Sequence, residues 1–146
     1  MKPYEHCIKK PLNATRDHHH AHHWKSHHDD VMPRWKFCAD GYFPESPIRV
    51  NVRQIKSIPS DYEPHVELHT HDIDELYIFI SEEEGGLEAE ITMDEEAYTV
   101  TSPVTVLLPK GVPHCYALKK GHGFVFVIMP LSCKEHYNQH TFPYSI

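Results

Sequence analysis

The chain has no excess of positive charge. It carries 21 acidic residues against 14 Lys and Arg, a formal net charge of -7. A nucleic-acid binder shows the opposite bias, so that class is not expected. There is no long apolar run either: nothing approaches the roughly 20 residues of a membrane-spanning helix. The first residues, MKPYEHCIKK, lack the apolar stretch of an export signal. A cytoplasmic protein with no membrane partner is the expectation. The four cysteines, Cys7, Cys38, Cys115 and Cys133, form no C-x-x-C pair. A zinc knuckle or thioredoxin-type motif is therefore not expected, and the thiols read as reduced and inert. No solenoid-type repeat is visible, and essentially no helix.

What the chain has in quantity is histidine and proline, 15 and 12 in 146 residues. Prolines break helices and punctuate strands, and many here fall between apolar runs. In Ile48 to Ile55, Ile48, Val50 and Val52 alternate with Arg49, Asn51 and Arg53, the period of a half-buried strand. Val66 to His71 continues in an extended pattern. Leu76 to Ile80, LYIFI, is apolar on both faces and reads as a strand between two layers. SEEEGG, 81–86, is a hairpin tip, and further strands are expected over 87–93, 97–101, 104–108, 114–118 and 124–129. About eight short strands at regular spacing make a β-sandwich or barrel.

Residues 1–34 read as a polar, largely irregular N-terminal arm, and 35–146 as the β domain. The arm contains DHHHAHHWKSHHDD, 17–30, with seven histidines between 18 and 28. It is either a metal-collecting segment or a polar arm that binds metal only weakly; composition alone favours the second. Residues 31–47 are turn-rich but hold Trp35, Phe37, Tyr42 and Phe43, too aromatic for a disordered linker. The tail, 131–146, is expected to cover an edge or join a dimer contact.

The chemistry concentrates in Pro64 to Tyr77, PHVELHTHDIDELY. In an unbulged strand His69, His71 and Glu75 share one face. Two imidazoles and a carboxylate are most of a donor set for a divalent metal. PKGVPH, 109–114, offers a further imidazole, His114, leaving a turn set by Pro109 and Gly111. Alone, H-x-H is expected by chance in a chain this rich in histidine. Its conjunction with Glu75 and the later motif, inside an all-β pattern, favours a metal site over coincidence. Glu75 is either the fourth ligand, the preferred reading, or a carboxylate standing off the metal as general base. Tyr77 and Phe79 share the inward parity, as Tyr116 and Leu118 share that of His114; they line the pocket or are plain core. Asp72, Asp74 and Cys115 have the opposite parity and should turn away. Glu67 and His65 are candidates for outer support or a proton relay.

His69-x-His71-x-x-x-Glu75 followed by Pro109-x-Gly111-x-x-His114 resembles the two motifs of the cupin superfamily, over roughly Ile48 to Met129. The resemblance implies an all-β, double-stranded β-helix (jelly-roll) barrel holding one metal on His69, His71, Glu75 and His114. The sequence departs from the family pattern twice: Ser81 or Glu82 stands where a glycine follows the first motif, and Leu118 where an asparagine ends the second. Iron, manganese, nickel, cobalt or zinc would suit such donors. The resemblance further implies a small metalloenzyme (a dioxygenase, isomerase or decarboxylase) acting on a small oxygenated organic acid at the metal's open positions. A non-catalytic metal- or ligand-binding module is the alternative. A homodimer through Leu76, Ile78 and Ile80 is expected, with the arm and tail joining the contact.

Overall fold

The computed structural model describes residues 2–13, 30–38, 48–64 and 67–130. Nearly all of the histidine-rich stretch, Tyr42, Phe43, His65 and the tail 131–146 lie outside the described residues.

A single 3-10 turn, Glu5–Cys7, precedes nine described strands: β1 (Leu12–Asn13), β2 (Arg34–Cys38), β3 (Ile48–Ile55), β4 (Glu75–Ile80), β5 (Leu87–Met93), β6 (Glu96–Thr101), β7 (Val104–Leu108), β8 (His114–Gly121) and β9 (Gly123–Pro130). They form two antiparallel sheets, ordered β1-β2-β3-β9-β4-β7 and β6-β5-β8. The last strand returns to lie between β3 and β4, so the sheet is closed by distant parts of the chain. The interior between the sheets is filled by alternate residues, among them Tyr77 and Phe79 of β4, Leu87, Ala89 and Ile91 of β5, Tyr116 and Leu118 of β8, and Val125 of β9. This is the all-β sandwich expected from the strand spacing, consistent with the jelly roll that the resemblance implies.

Three strand readings change. First, 67–74 is not a regular strand. His69 makes an isolated bridge to His114, and β4 begins only at Glu75. Local side chains compete for the backbone donors here: Asp74 Oδ1 accepts from the Lys110 N–H at 2.9 Å.

Second, the alternation in β3 is real, but the polar residues face inward. Residues paired across a ladder share a face. Asn51 and Arg53 pair with Val127 and Val125, which pair in turn with inward-facing Tyr77 and Phe79. Val50 and Val52 instead join Phe124, Phe126, Trp35, Phe37 and Pro11 around an outer groove of about 440 Å³.

Third, LYIFI is fully buried on one side only. Leu76 and Ile78 are half-buried and Ile80 is 44 % exposed; no second layer covers them among the described residues.

The chain ahead of Trp35 also contributes to the barrel. Met32 is fully buried in the core, and its carbonyl accepts from Arg53 Nη1 at 2.6 Å. The backbone N–H groups of Gln54 and Lys56 donate to the carbonyls of Pro33 and Val31 at 2.9 and 2.8 Å. β1 adds to the edge of β2. No helix among the described residues is long and apolar enough to cross a membrane.

Candidate metal centre

Two separate loops are joined at one end of the barrel. His69 and His114 exchange both backbone hydrogen bonds, N to O, at 3.1 and 2.9 Å. The Gly111 N–H donates to the His71 carbonyl at 2.8 Å, and the Lys110–Asp74 contact closes the same seam. Gly111 sits at φ 80°, a left-handed conformation that glycine adopts without the penalty other residues incur. The turn at 109–113 is therefore docked onto 69–74 along its length. The expected convergence occurs, but the backbone seam produces it and not an uninterrupted pleat.

The donors meet at this seam. One ligand atom from each of His69, His71, Glu75 and His114 can be chosen so that all lie within 4.8 Å of one another. Glu75 and His114 are buried, and His69 and His71 half-buried. His69 Nδ1 lies 2.7 Å from the Glu67 carbonyl, and His114 Nδ1 lies 2.8 Å from that of Val112. A carbonyl only accepts, so each Nδ1 carries a proton, and in the neutral form of either ring the lone pair sits on Nε2. This is how ligating histidines are usually oriented.

The carboxylate tests whether the donors suit a cation. Glu75 Oε2 is 3.0 Å from His71 Nε2 and 3.3 Å from His114 Nε2. By distance these are ion pairs. Yet Glu75 Oε2 and His114 Nε2 are both buried with no hydrogen-bond partner, so the angles do not serve a hydrogen bond. A buried polar atom left unsatisfied costs about 1–3 kcal/mol. One cation at the point where these atoms converge would satisfy both. Three imidazoles and a carboxylate, close together and facing one another, fit a divalent transition metal.

In the metal-free site the ionisable groups shift in different directions. Burial pushes the Glu75 carboxyl up, but contact with His114 and His71 outweighs it and holds the group at about 2. The carboxylate is thus ionised at neutral pH. Burial lowers the His69 imidazole; the Glu67 carbonyl opposes this, and the neighbouring His114 and His71 add to it. His114 is also pulled down by burial, but Glu75 and the Val112 carbonyl bring it above its ordinary value.

Tyr77, Phe79 and Tyr116 form an aromatic floor beneath the donors. Tyr77 packs edge-on to Tyr116 at 5.2 Å and to His114 at 6.1 Å between ring centroids. Phe79 meets Tyr116 at 5.9 Å. Burial keeps the Tyr77 phenol well above its ordinary value, hence neutral. Leu118 is core. Cys115 is half-buried among inward neighbours on either side, as parity required. The Glu67 backbone carbonyl accepts from His69 Nδ1. Asp72 and Asp74 are exposed, and Asp74 supports the seam.

Sequence reasoning missed the inner-face polar group on β3. Asn51 and Arg53 are only 5 % and 6 % exposed. The available signal was IRVNVRQI itself, in which either set of alternate residues could have faced inward.

No protein-family model matches the sequence, and no curated protein matches it. Solved structures do. A cupin superfamily protein from Desulfitobacterium hafniense aligns at TM-score 0.52 with 15 % identity, covering 74 % of this chain and 84 % of that one. KdgF from Halomonas sp. aligns at 0.52 with 11 % identity, covering 88 % and 97 %. A cupin 2 domain-containing protein from Halorhodospira halophila aligns at 0.53 with 13 % identity, covering 73 % and 69 %. At these identities the likeness concerns the fold.

Proposed function

From the premise that this chain has the cupin fold, we propose that it is a small metal-dependent enzyme. Its metal would be held by His69, His71, Glu75 and His114, and its substrate would be a small oxygenated organic acid. The observation that carries this reading is the pair of buried, unsatisfied atoms, Glu75 Oε2 and His114 Nε2, facing each other across the donor cluster. The ion would be iron, manganese, nickel, cobalt or zinc; bound there, it supplies Lewis acidity, and with iron or manganese also redox chemistry.

The chain's own residues do the rest. The Glu67 and Val112 carbonyls hold the His69 and His114 rings in the tautomer that presents Nε2. Glu75 brings one negative charge to the site. Tyr77, Phe79 and Tyr116 close its inner end against water with neutral rings. A carboxylate with an adjacent hydroxyl or carbonyl oxygen suits the outer side. The reaction class would be dioxygenation, isomerisation or decarboxylation; the fold does not choose among them.

A non-catalytic metal- or ligand-binding module is the second reading. It is favoured by one observation: Glu75 is the only buried carboxylate among the described residues, and as a ligand it leaves no buried acid to act as base. The homodimer belongs to the proposal too, through the outer face with Leu76, Ile78, Phe124 and Phe126. So does a cytoplasmic setting, which suits the free thiols of Cys7, Cys38 and Cys115.

The test is elemental analysis of protein purified without added metal, followed by cobalt substitution and titration with 2-hydroxy and 2-oxo acids. Bound metal and an acid-dependent change in the cobalt spectrum are expected. Absence of either sinks the enzyme reading. A spectral change with no conversion of any acid leaves the binding module.

A further inference from the structure

The first described residues form a structured arm that leaves its apolar side chains uncovered. Glu5–Cys7 is a 3-10 turn, closed by the Cys7 and Ile8 N–H groups donating to the Tyr4 and Glu5 carbonyls at 3.0 and 3.1 Å. It buries no residue, and all of residues 2–10 are exposed. Two of them are large and apolar, Tyr4 at 74 % and Ile8 at 80 % exposure. A turn this short is not stable on propensity alone; packing normally holds it in place. Among the described residues nothing buries Tyr4 or Ile8.

The arm starts at the lip of the outer groove. Pro11 edges that groove, about 440 Å³ in volume, and its walls include Trp35 and Phe37 of β2 and Phe124 and Phe126 of β9. Ile8 lies three residues before Pro11, at most about 10 Å of extended chain. Two sheets packed face to face stand about 10 Å apart. In a dimer made through this face, Ile8 therefore has the reach to touch the opposite sheet. Charge fits as well. Residues 2–10 hold Lys2, Lys9 and Lys10 against Glu5, in a chain of net charge -7. Glu82, Glu83 and Glu84 are exposed in the turn that follows Ile80, and Ile80 pairs with Phe124 of the groove. A basic arm laid across the groove of a second copy meets acid at one end of it.

We infer that two copies of this chain exchange arms, with Tyr4 and Ile8 of each entering the groove between Trp35 and Phe126 of the other. The exchange rests on the homodimer proposed above and names what makes its contact specific. The arrangement is isologous, so each dimer holds two identical arm–groove contacts. Burial of Tyr4 and Ile8 against aromatic walls supplies the affinity. The lysines set the direction in which the arm lies.

The test is sedimentation velocity on the full-length protein. Ile8 is exposed within its own chain, so Ile8→Asp should leave circular dichroism unchanged. It should raise the dimer dissociation constant about 100-fold, roughly tenfold for each of the two contacts. Phe124→Lys should weaken the dimer similarly. Mixed, the two variants should pair with each other in preference to themselves, because the mixed dimer has one native contact and one Asp–Lys contact. An arm lying in the groove of its own chain gives no such preference, and neither does a dimer made without the arm; the lack of preference overturns the exchange. So does a dissociation constant unchanged by Ile8→Asp. If removal of residues 131–146 yields monomers and Ile8→Asp does not, the tail is the occupant, and the exchange falls while the dimer stands. A wild type that is monomeric at micromolar concentration removes the dimer, and the exchange with it.

Discussion

His69 and His114 are 45 positions apart in sequence and are bonded to each other through both backbone N–H groups, at 3.1 and 2.9 Å. Their side chains lie with ring centroids 4.5 Å apart. The backbone pairing places two imidazoles together without calling on the side chains, so the rings can be removed one at a time with the pairing left in place.

His114→Ala should therefore keep the fold and lose metal. The expected fall in affinity exceeds the roughly 10–100-fold typical of losing an outer partner of a ligand. Deletion of residues 1–30, by contrast, should leave tight binding at the barrel intact. Metal titration of both variants decides it: if the truncation abolishes tight binding and His114→Ala does not, the centre lies in the histidine-rich arm.

The seam itself can be weakened without touching a donor. A Cβ on Gly111 would meet nothing within 4 Å, so Gly111→Ala tests conformation alone. It should cost about 1–2 kcal/mol through the left-handed backbone, read by urea unfolding. Asp74→Ala should lower metal affinity about tenfold by freeing the Lys110 N–H from its acceptor. Unchanged affinity in both would mean that the docking of the two loops does not matter to the site.

Acid should unfold the metal-free protein in a particular window. The Glu75 carboxyl is held below its ordinary 4.5, at about 2. A depressed carboxyl contributes stability that is fully present above the unfolded value and is lost as pH falls toward the folded one. The loss attributable to Glu75 thus runs from about pH 4.5 down to about 2. His69, also lowered, loses its contribution on acidification, starting below its ordinary 6.5. His114 is raised, so its contribution is present below 6.5 and fades as pH rises. Denaturant midpoints across the acid range should flatten in Glu75→Gln; a slope equal to that of the wild type would refute the assignment.

Phe124, 40 % exposed on the outer sheet face, tests the proposed dimer. Phe124→Asp should shift light-scattering mass from dimer to monomer while metal content stays constant. A wild-type protein that is monomeric at micromolar concentration removes the proposal altogether.

The strands and the four donors were legible because their signals are local and redundant. Alternation in 87–93 and the proline-bounded run 104–108 each mark a strand unaided, and both are present. His69, His71, Glu75 and His114 could be grouped from motif spacing even though 70–74 is not pleated. What could not be read was sidedness. In β3 the apolar and polar sets alternate equally well, and which set enters the barrel depends on β2 and β9 arriving from distant parts of the chain. β2 was missed although Arg34, Trp35, Lys36 and Phe37 alternate, because the run is short and sits in a turn-rich segment, and its pairing contains a register shift between Lys36 and Cys38.

Glu75 opens a strand of the six-stranded sheet, whereas His114 opens a strand of the three-stranded one. An ion gripped by both would rivet the halves of the sandwich at that mouth. Motions that part the layers would then have to break coordination first. Slowed amide exchange at residues 69 and 114 on loading would report this clasp from the backbone, with no need to know the substrate.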